Sequence, residues 1–438
     1  MIGSGAPQVQ RSGGLDPLRR QRLPSPSVAL PLEPPYMPDR VDVRLQAASE
    51  DHIPAMAALW AEAFPEKPAE RRQREIREGF SYGDLTDCWV VEVDDRLAGA
   101  LRTYRLFMNY RGHRIPVMGL AGVAVAPDFR RRGIGRRMCL EALRIARDRG
   151  DLLSALFPFR ASFYRQMGYA LAGAFHRYRF APDALPTYPG WDQVVRAPSG
   201  GRQIAMEVYQ RVAARSTGLL QRTERMWGFL GQPGTYLYVY RDIRDRAAGY
   251  VAVRGRGGPP ERSRLRVLEL LAETREAYLG LLGWLSVQRD QWGTIVYDTV
   301  PAEDFHERLD HPRTWGSGSP RGLWFHSAGL LRGPMFRVLD LAGLYALAGD
   351  NGRVGGRPGI SLPDGTLQVR DGDLPENQGS WRDGVRVSPS VDSSTGPIVS
   401  IGDVAKDLFR GTLPGQPNPP GDWTPNLGLS EVRMLDEF

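Results

Sequence analysis

Apolar positions recur with two different periods from about residue 41 onward, and the alternation between those periods predicts the order of elements. Residues 41–45 alternate as a strand does. Ile53, Met56, Leu59 and Trp60 fall at helical spacing, so residues 51–64 are expected to form a helix. Residues 89–93 and 97–108 form two apolar runs divided by Asp94-Asp95, the pattern of a hairpin. A second turn at Tyr110-Arg111-Gly112-His113 leads into a long apolar strand over 115–125. Helical periodicity returns over 133–149 through Ile134, Met138, Leu140, Leu143 and Ile145, and a further strand is expected over 152–157. This order describes one mixed α/β domain of about 140 residues, an ordinary domain size.

A second α/β pattern runs over 183–314, with helices expected at 204–214 and 273–290 and a hairpin at 236–240 and 250–254. The similar element order raises an internal duplication. From about Phe336 short strands alternate with Gly, Pro and Asp turns. Residues 1–38 are rich in Pro, Ser, Gly and Arg without periodicity, and are expected to be disordered. Met37 precedes the first periodic segment and is a candidate native start.

Composition narrows the classes. At 438 residues and 42% apolar content, two or three folded domains are expected. No apolar run is long enough to span a membrane and no secretory signal is read, so a cytoplasmic protein is expected. Cys88 and Cys139 lie in apolar segments and are read as buried hydrophobes, too few for a disulfide framework or a structural zinc site. The six histidines show no metal-ligand spacing, and no metal is expected. The formal charge of +7 comes almost wholly from arginine, since the chain has only two lysines, Lys67 and Lys406. The arginines are scattered among Asp and Glu, which argues against a nucleic-acid partner. One cluster differs: Arg130, Arg131, Arg132, Arg136 and Arg137 fall within eight residues.

That cluster lies in Val123-Ala124-Val125-Ala126-Pro127-Asp128-Phe129-Arg130-Arg131-Arg132-Gly133-Ile134-Gly135-Arg136, where a strand ends, a basic loop turns and a helix opens. Amides at a helix start have no intrahelical partner and sit at the positive end of the helix dipole. Gly133 and Gly135 let backbone approach a phosphate closely, and arginines add bidentate donors. A pyrophosphate is the expected ligand. No Gly-Lys-Ser/Thr follows, which excludes a Walker-type loop, and the missing initial β-α-β unit disfavours a dinucleotide fold.

The stretch resembles motif A of the GNAT superfamily of N-acetyltransferases. That resemblance implies acetyl-coenzyme A, with pantetheine along Val123, Ala124 and Val125 and pyrophosphate on the amides of Arg131, Arg132, Gly133, Ile134, Gly135 and Arg136. Downstream, Phe163-Tyr164-Arg165-Gln166-Met167-Gly168-Tyr169 resembles the Eis family, the enhanced intracellular survival N-acetyltransferases. Ala214-Arg215-Ser216-Thr217-Gly218, Arg222-Thr223-Glu224-Arg225-Met226-Trp227 and Met335-Phe336-Arg337-Val338-Leu339-Asp340-Leu341 resemble that family's central domain and the start of its sterol carrier protein-like domain.

The implied fold is α+β (mixed α/β): a catalytic GNAT domain at 39–182, a second GNAT-like domain without a cofactor site at 183–318, and a sterol carrier protein-like α+β domain at 319–438. Tyr164 is implied as general acid, since a tyrosine with a pKa of about 10 stays protonated and can donate. The carboxylate of the last residue, Phe438, is implied as general base. Asp436 and Glu437 add negative charge beside it. Eis enzymes often carry a Ser-Glu pair where this chain has Phe159-Arg160, expected here only as cofactor neighbours. The resemblance further implies a primary-amine acceptor, aminoglycoside-like or lysine-like, and a homohexamer. Two other classes stand against this reading: a lipid- or sterol-binding module with a relic GNAT domain, which the intact basic loop opposes, and an arginine-based nucleic-acid binder, which the clustering of arginines at that loop opposes.

Overall fold

The computed structural model describes residues 43–400, except 111, 172, 260–261, 301–302, 311–326, 350–365, 371, 375–378, 383–384 and 388–397. The expectations for residues 1–38, Met37, Asp436, Glu437 and Phe438 lie outside the described residues.

Of the strand predicted over 41–45, the described residues 43–45 are not strand, and the first described strand comes later. Only β1 (Gln46–Ala47) pairs with β2 (Cys88–Val93), because Gln46 and Ala47 alone oppose Val90 and Trp89. Helix α1 (Ile53–Ala63) follows the predicted spacing and buries Ile53, Met56, Leu59 and Trp60. Helix α2 (Ala69–Glu78) was not read from the sequence: its run Ala-Glu-Arg-Arg-Gln-Arg-Glu-Ile-Arg-Glu buries only Arg72 and Ile76, too few positions to show a period. Asp94 and Asp95 both take positive φ, the geometry of a two-residue hairpin turn, and join β2 to β3 (Arg96–Tyr110). Strand β4 (His113–Val125), helix α3 (Ile134–Asp148) and strand β5 (Leu153–Leu156) then form a parallel crossover. Helix α4 (Ala161–Arg165) and strand β6 (Ala170–Leu171) close this half.

The chain now leaves the first sheet. Strand β7 (Ala174–Phe180), within the 39–182 segment, hydrogen-bonds into the second sheet instead. There follow β8 (Val194–Arg196), α5 (Gly201–Ala213), β9 (Thr235–Arg241), β10 (Ala247–Arg256), β11 (Arg264–Ala272), α6 (Arg275–Ser286), β12 (Thr294–Thr299) and β13 (Ala328–Arg332). Strand β14 (Met335–Val338) returns to the first sheet, pairing with β5 and β6, and α7 (Leu341–Gly349) follows. A four-stranded sheet holds β15 (Thr366–Arg370), β16 (Gly379–Arg382), β17 (Val385–Val387) and β18 (Ile398–Ser400), in the order β17-β16-β15-β18.

The two large sheets therefore share one plan. The first runs β1-β2-β3-β4-β5-β14-β6 and the second, read from β8, runs β8-β9-β10-β11-β12-β7-β13. Each has one parallel pair, β4–β5 and β11–β12, spanned by a helix. Each borrows its penultimate strand from the other half. The two crossings meet at Gly173 and Gly333, where the Gly333 N–H donates to the Gly173 carbonyl at 3.0 Å. A Cβ on Gly333 would stand 2.6 Å from the carbonyl carbon and oxygen of Gly173. Phe336 and Val338 of the borrowed strand are fully buried in the core made by Tyr104, Leu106, Met108 and Leu153, so the exchange ties the second half of the chain to the first.

Among the described residues, no helix is long and apolar enough to cross a membrane. Gly333→Val should force the crossing apart. A loss of about 2 kcal/mol is expected for such overpacking, read as a drop of several degrees in melting temperature by calorimetry, whereas Gly329→Val on β13, where an added Cβ meets open space, should melt close to wild type.

Candidate active site

The basic loop places its residues as a helix entrance. Pro127–Phe129 form a 3-10 turn whose Phe129 is buried. Arg131 then takes φ +63° and Gly133 φ +77°, left-handed conformations that glycine tolerates and arginine pays strain to adopt. Gly133 precedes α3 with no side-chain cap, and the Arg137 N–H makes the first helix bond, to the Gly133 carbonyl at 3.1 Å. The amides of Ile134, Gly135 and Arg136 therefore point outward at the positive end of the helix dipole. Arg131, Arg132 and Arg136 are exposed around them. Arg130 turns back to the Val125 carbonyl at 3.0 Å, and Arg136 reaches Asp373 at 3.4 Å.

Strand β4 supplies the second wall. Its parallel ladder with β5 pairs Val117 with Leu153, Met118 with Ser154 and Gly119 with Ala155, and then stops. Residues 120–125 run on along β3 alone, so β4 and β5 part. A bulge accompanies the parting: Ala100 faces Ala124 and Arg102 faces Ala121, leaving Gly122 and Val123 opposite Leu101. Gly122 holds φ +59°, and its carbonyl accepts from the Trp60 indole at 2.6 Å. Helix α3 starts close beside the end of β4, since a Cβ on Gly135 would lie 3.3 Å from Val125 and 3.6 Å from Phe163.

Helix α4 brings Tyr164 to the same place. Its ring stands edge-on to Phe163, Phe159 and Tyr169, with centroids 5.0, 5.6 and 5.8 Å away. The side chain is buried, and that desolvation, before any effect of Cys139 or Tyr169, holds its hydroxyl well above the usual tyrosine range and so protonated. Tyr169 is fixed in turn by a 2.6 Å hydrogen bond with Ser154. Ser154 faces the fully buried Arg337 of the borrowed strand. Phe159 is 69% exposed and Arg160 is exposed beside it. The structure thus gathers Val125, Gly135, Phe163 and Tyr164 around one gap, while Phe438 lies outside the described residues.

The corresponding place in the second sheet is built differently. The β11–β12 ladder also stops early, after Arg266 and Val296. Here, however, Thr274 caps α6 with its own side chain, accepting from the Ala277 N–H at 3.2 Å. The buried Glu303 carboxylate accepts from Tyr278 and Tyr297 beside that parting, and burial raises its pKa to about 7. A buried carboxylate and a capped helix do not suit a phosphate, whereas the uncapped α3, two glycines and parted strands of the first sheet fit a long ligand bearing a pyrophosphate.

Three residues of this region carry no site role in the sequence reading: Trp60, placed there only on the apolar face of the first helix, Arg102 and Gly122. Only Gly122 carried a signal, as an isolated glycine inside an apolar strand pattern.

Comparison with known proteins agrees with this geometry. An acetyltransferase (GNAT) domain family matches residues 44–172, and a second acetyltransferase (GNAT) domain family matches 218–336. An N-acetyltransferase of Streptomyces avermitilis is 25% identical over 377 residues, 75% of this chain and 84% of that one. N-acetyltransferase Eis of Mycobacterium tuberculosis is 30% identical over 234 residues, covering 48% of this chain and about half of its own length, 54%. Among solved structures, a GCN5-related N-acetyltransferase from Kribbella flavida superposes with a TM-score of 0.64 at 23% identity, over 83% of this chain and 89% of that one. Eis1 from Mycobacterium abscessus superposes with a TM-score of 0.62 at 19% identity, over 83% and 88%. The chain is a GNAT acetyltransferase with two GNAT domains in tandem, similar to the Eis N-acetyltransferases, and is an acetyl-CoA-dependent N-acetyltransferase.

Proposed function

We propose that the chain acetylates a primary amine by direct transfer at the gap between β4 and β5. The observation that carries this reading is the convergence of the uncapped α3 terminus, the bulged end of β4 and the buried Tyr164 on one place. Arg131, Arg132, Gly133, Ile134, Gly135 and Arg136 would hold the pyrophosphate of acetyl-CoA, and the backbone of Val123, Ala124 and Val125 its pantetheine arm, with Phe159 and Arg160 at the mouth. Bound acetyl-CoA supplies an activated acyl group as a thioester.

The remaining work falls to the chain. The β4 backbone freed by the bulge polarises the acyl carbonyl, as an oxyanion hole does. Tyr164, kept neutral by burial, donates its proton to the departing sulfur. The α-carboxylate of Phe438 takes the proton of the attacking amine. A carboxylate taken out of water is a stronger base than one in solution, which suits it to that task. In this reading the segment at 319–438 is a sterol carrier protein-like domain whose task is to bring Phe438 to the gap, and the enzyme assembles as a hexamer. The acceptor is aminoglycoside-like or lysine-like.

Tyr164→Phe should lower kcat by about a hundredfold or more while coenzyme A affinity, measured by calorimetry, stays near wild type. Unchanged turnover would remove Tyr164 from the mechanism. Deleting Phe438, or appending a C-terminal tag, should cause a comparable loss in a thiol-release assay, and a fully active tagged enzyme would refute the carboxylate's role.

A further inference from the structure

Arg102 is a charged side chain at the transfer gap that the mechanism above does not use. It lies on β3, paired across the sheet with Cys88 and Ala121, and only 3% of its surface is exposed. Its guanidinium stands 4.6 Å from the Trp60 ring and 4.5 Å from the Phe80 ring. One of its nitrogens donates to the Tyr104 hydroxyl at 2.9 Å. The group presses on the bulge itself: a Cβ on Gly122 would lie 2.8 Å from its Nε and 2.9 Å from its Nη2. The glycine of the bulge therefore makes room for a permanent cation one residue from Val123.

The two faces of the gap differ in chemistry. On the α3 face lie Gly135, Phe163 and Tyr164, beside the anion site. On the α1 face lie Trp60, Arg102, Tyr104 and the half-buried Phe80. Ala121 and Phe157 are also only partly buried against this second cluster. The α3 face is taken by the cofactor's own elements, which leaves the α1 face for the amine. Asp84 accepts from Thr86 and Asp87 accepts from the Asp84 N–H, so both carboxylates turn into their own loop.

We infer that Arg102 is a specificity-determining residue that favours acceptors carrying a carboxylate beside the reactive amine on an apolar body, and disfavours polycations. Its charge, held beneath the Gly122 bulge with 3% of its surface exposed, attracts a carboxylate and repels a second ammonium through the low-dielectric wall of the gap, without touching the acceptor. This inference rests on the transferase reading above and chooses, between its two acceptor types, the amino-acid-like one.

The test uses the full-length enzyme with acetyl-CoA and two pairs of amines that differ only in a carboxylate: phenylalanine against phenethylamine, and lysine against cadaverine. Thiol release is read as kcat/KM. The wild type should favour the carboxylate member of each pair by at least about tenfold, and Arg102→Met should reduce that ratio to near one or reverse it. Coenzyme A binding to the same variant, measured by calorimetry, should stay within about threefold of wild type, since the cation lies on the other face. A wild type that favours the decarboxylated partners overturns the inference, and does so even where Arg102→Met fails to fold. A folded Arg102→Met with an unchanged ratio overturns it as well. A wild type that binds no coenzyme A would instead overturn the transferase reading.

Discussion

The parting of β4 from β5 is the constraint on which the rest of the structure depends. Parallel strands normally pair along their whole shared length, since an abandoned ladder leaves backbone groups without partners. Here the ladder ends at Gly119 and Ala155, and the bulge at Gly122 turns the rest of β4 away. The freed backbone forms one side of a gap, and α3 opens beside it with free amides. The hydrogen-bonding capacity that the sheet gives up is thus collected at one place, where a polar ligand can use it.

Two features hold that gap in shape. Trp60 of α1 donates to the Gly122 carbonyl from one face, and Phe163 packs against Gly135 and Tyr164 from the other. The second is the exchange of strands between the sheets. Strand β14 lies beside β5 and places the buried Arg337 opposite Ser154, which bonds the tyrosine that packs on Tyr164. The first half of the chain is therefore not complete without a segment more than 150 residues downstream. The second sheet repeats the plan, but there Thr274 caps the helix and a buried Glu303 stands beside the parting. One architecture is thus built twice, with different chemistry at the parting of the strands.

What the sequence made legible was local. The basic glycine loop, its strand and its helix could be placed because an anion site at a helix start is written in consecutive residues. Amphipathic elements such as α1, α3 and α5 were readable from their spacing. Helix α2 was not, because charged residues fill nearly all of its positions. The exchange of β7 and β14 could not be read at all: alternation says that a segment is a strand and nothing about which sheet takes it. Arg102 was lost among many arginines, and only its burial against the Gly122 bulge sets it apart.

The central claim is that one gap per chain, at the first sheet, holds the cofactor. Calorimetric titration of coenzyme A tests it most directly, with the wild type compared against Gly135→Val, whose side chain would press on Val125 and Phe163. One coenzyme A per chain for the wild type and at least about tenfold weaker binding for the variant are predicted. Two sites per chain, or an affinity that Gly135→Val leaves untouched, would contradict the account.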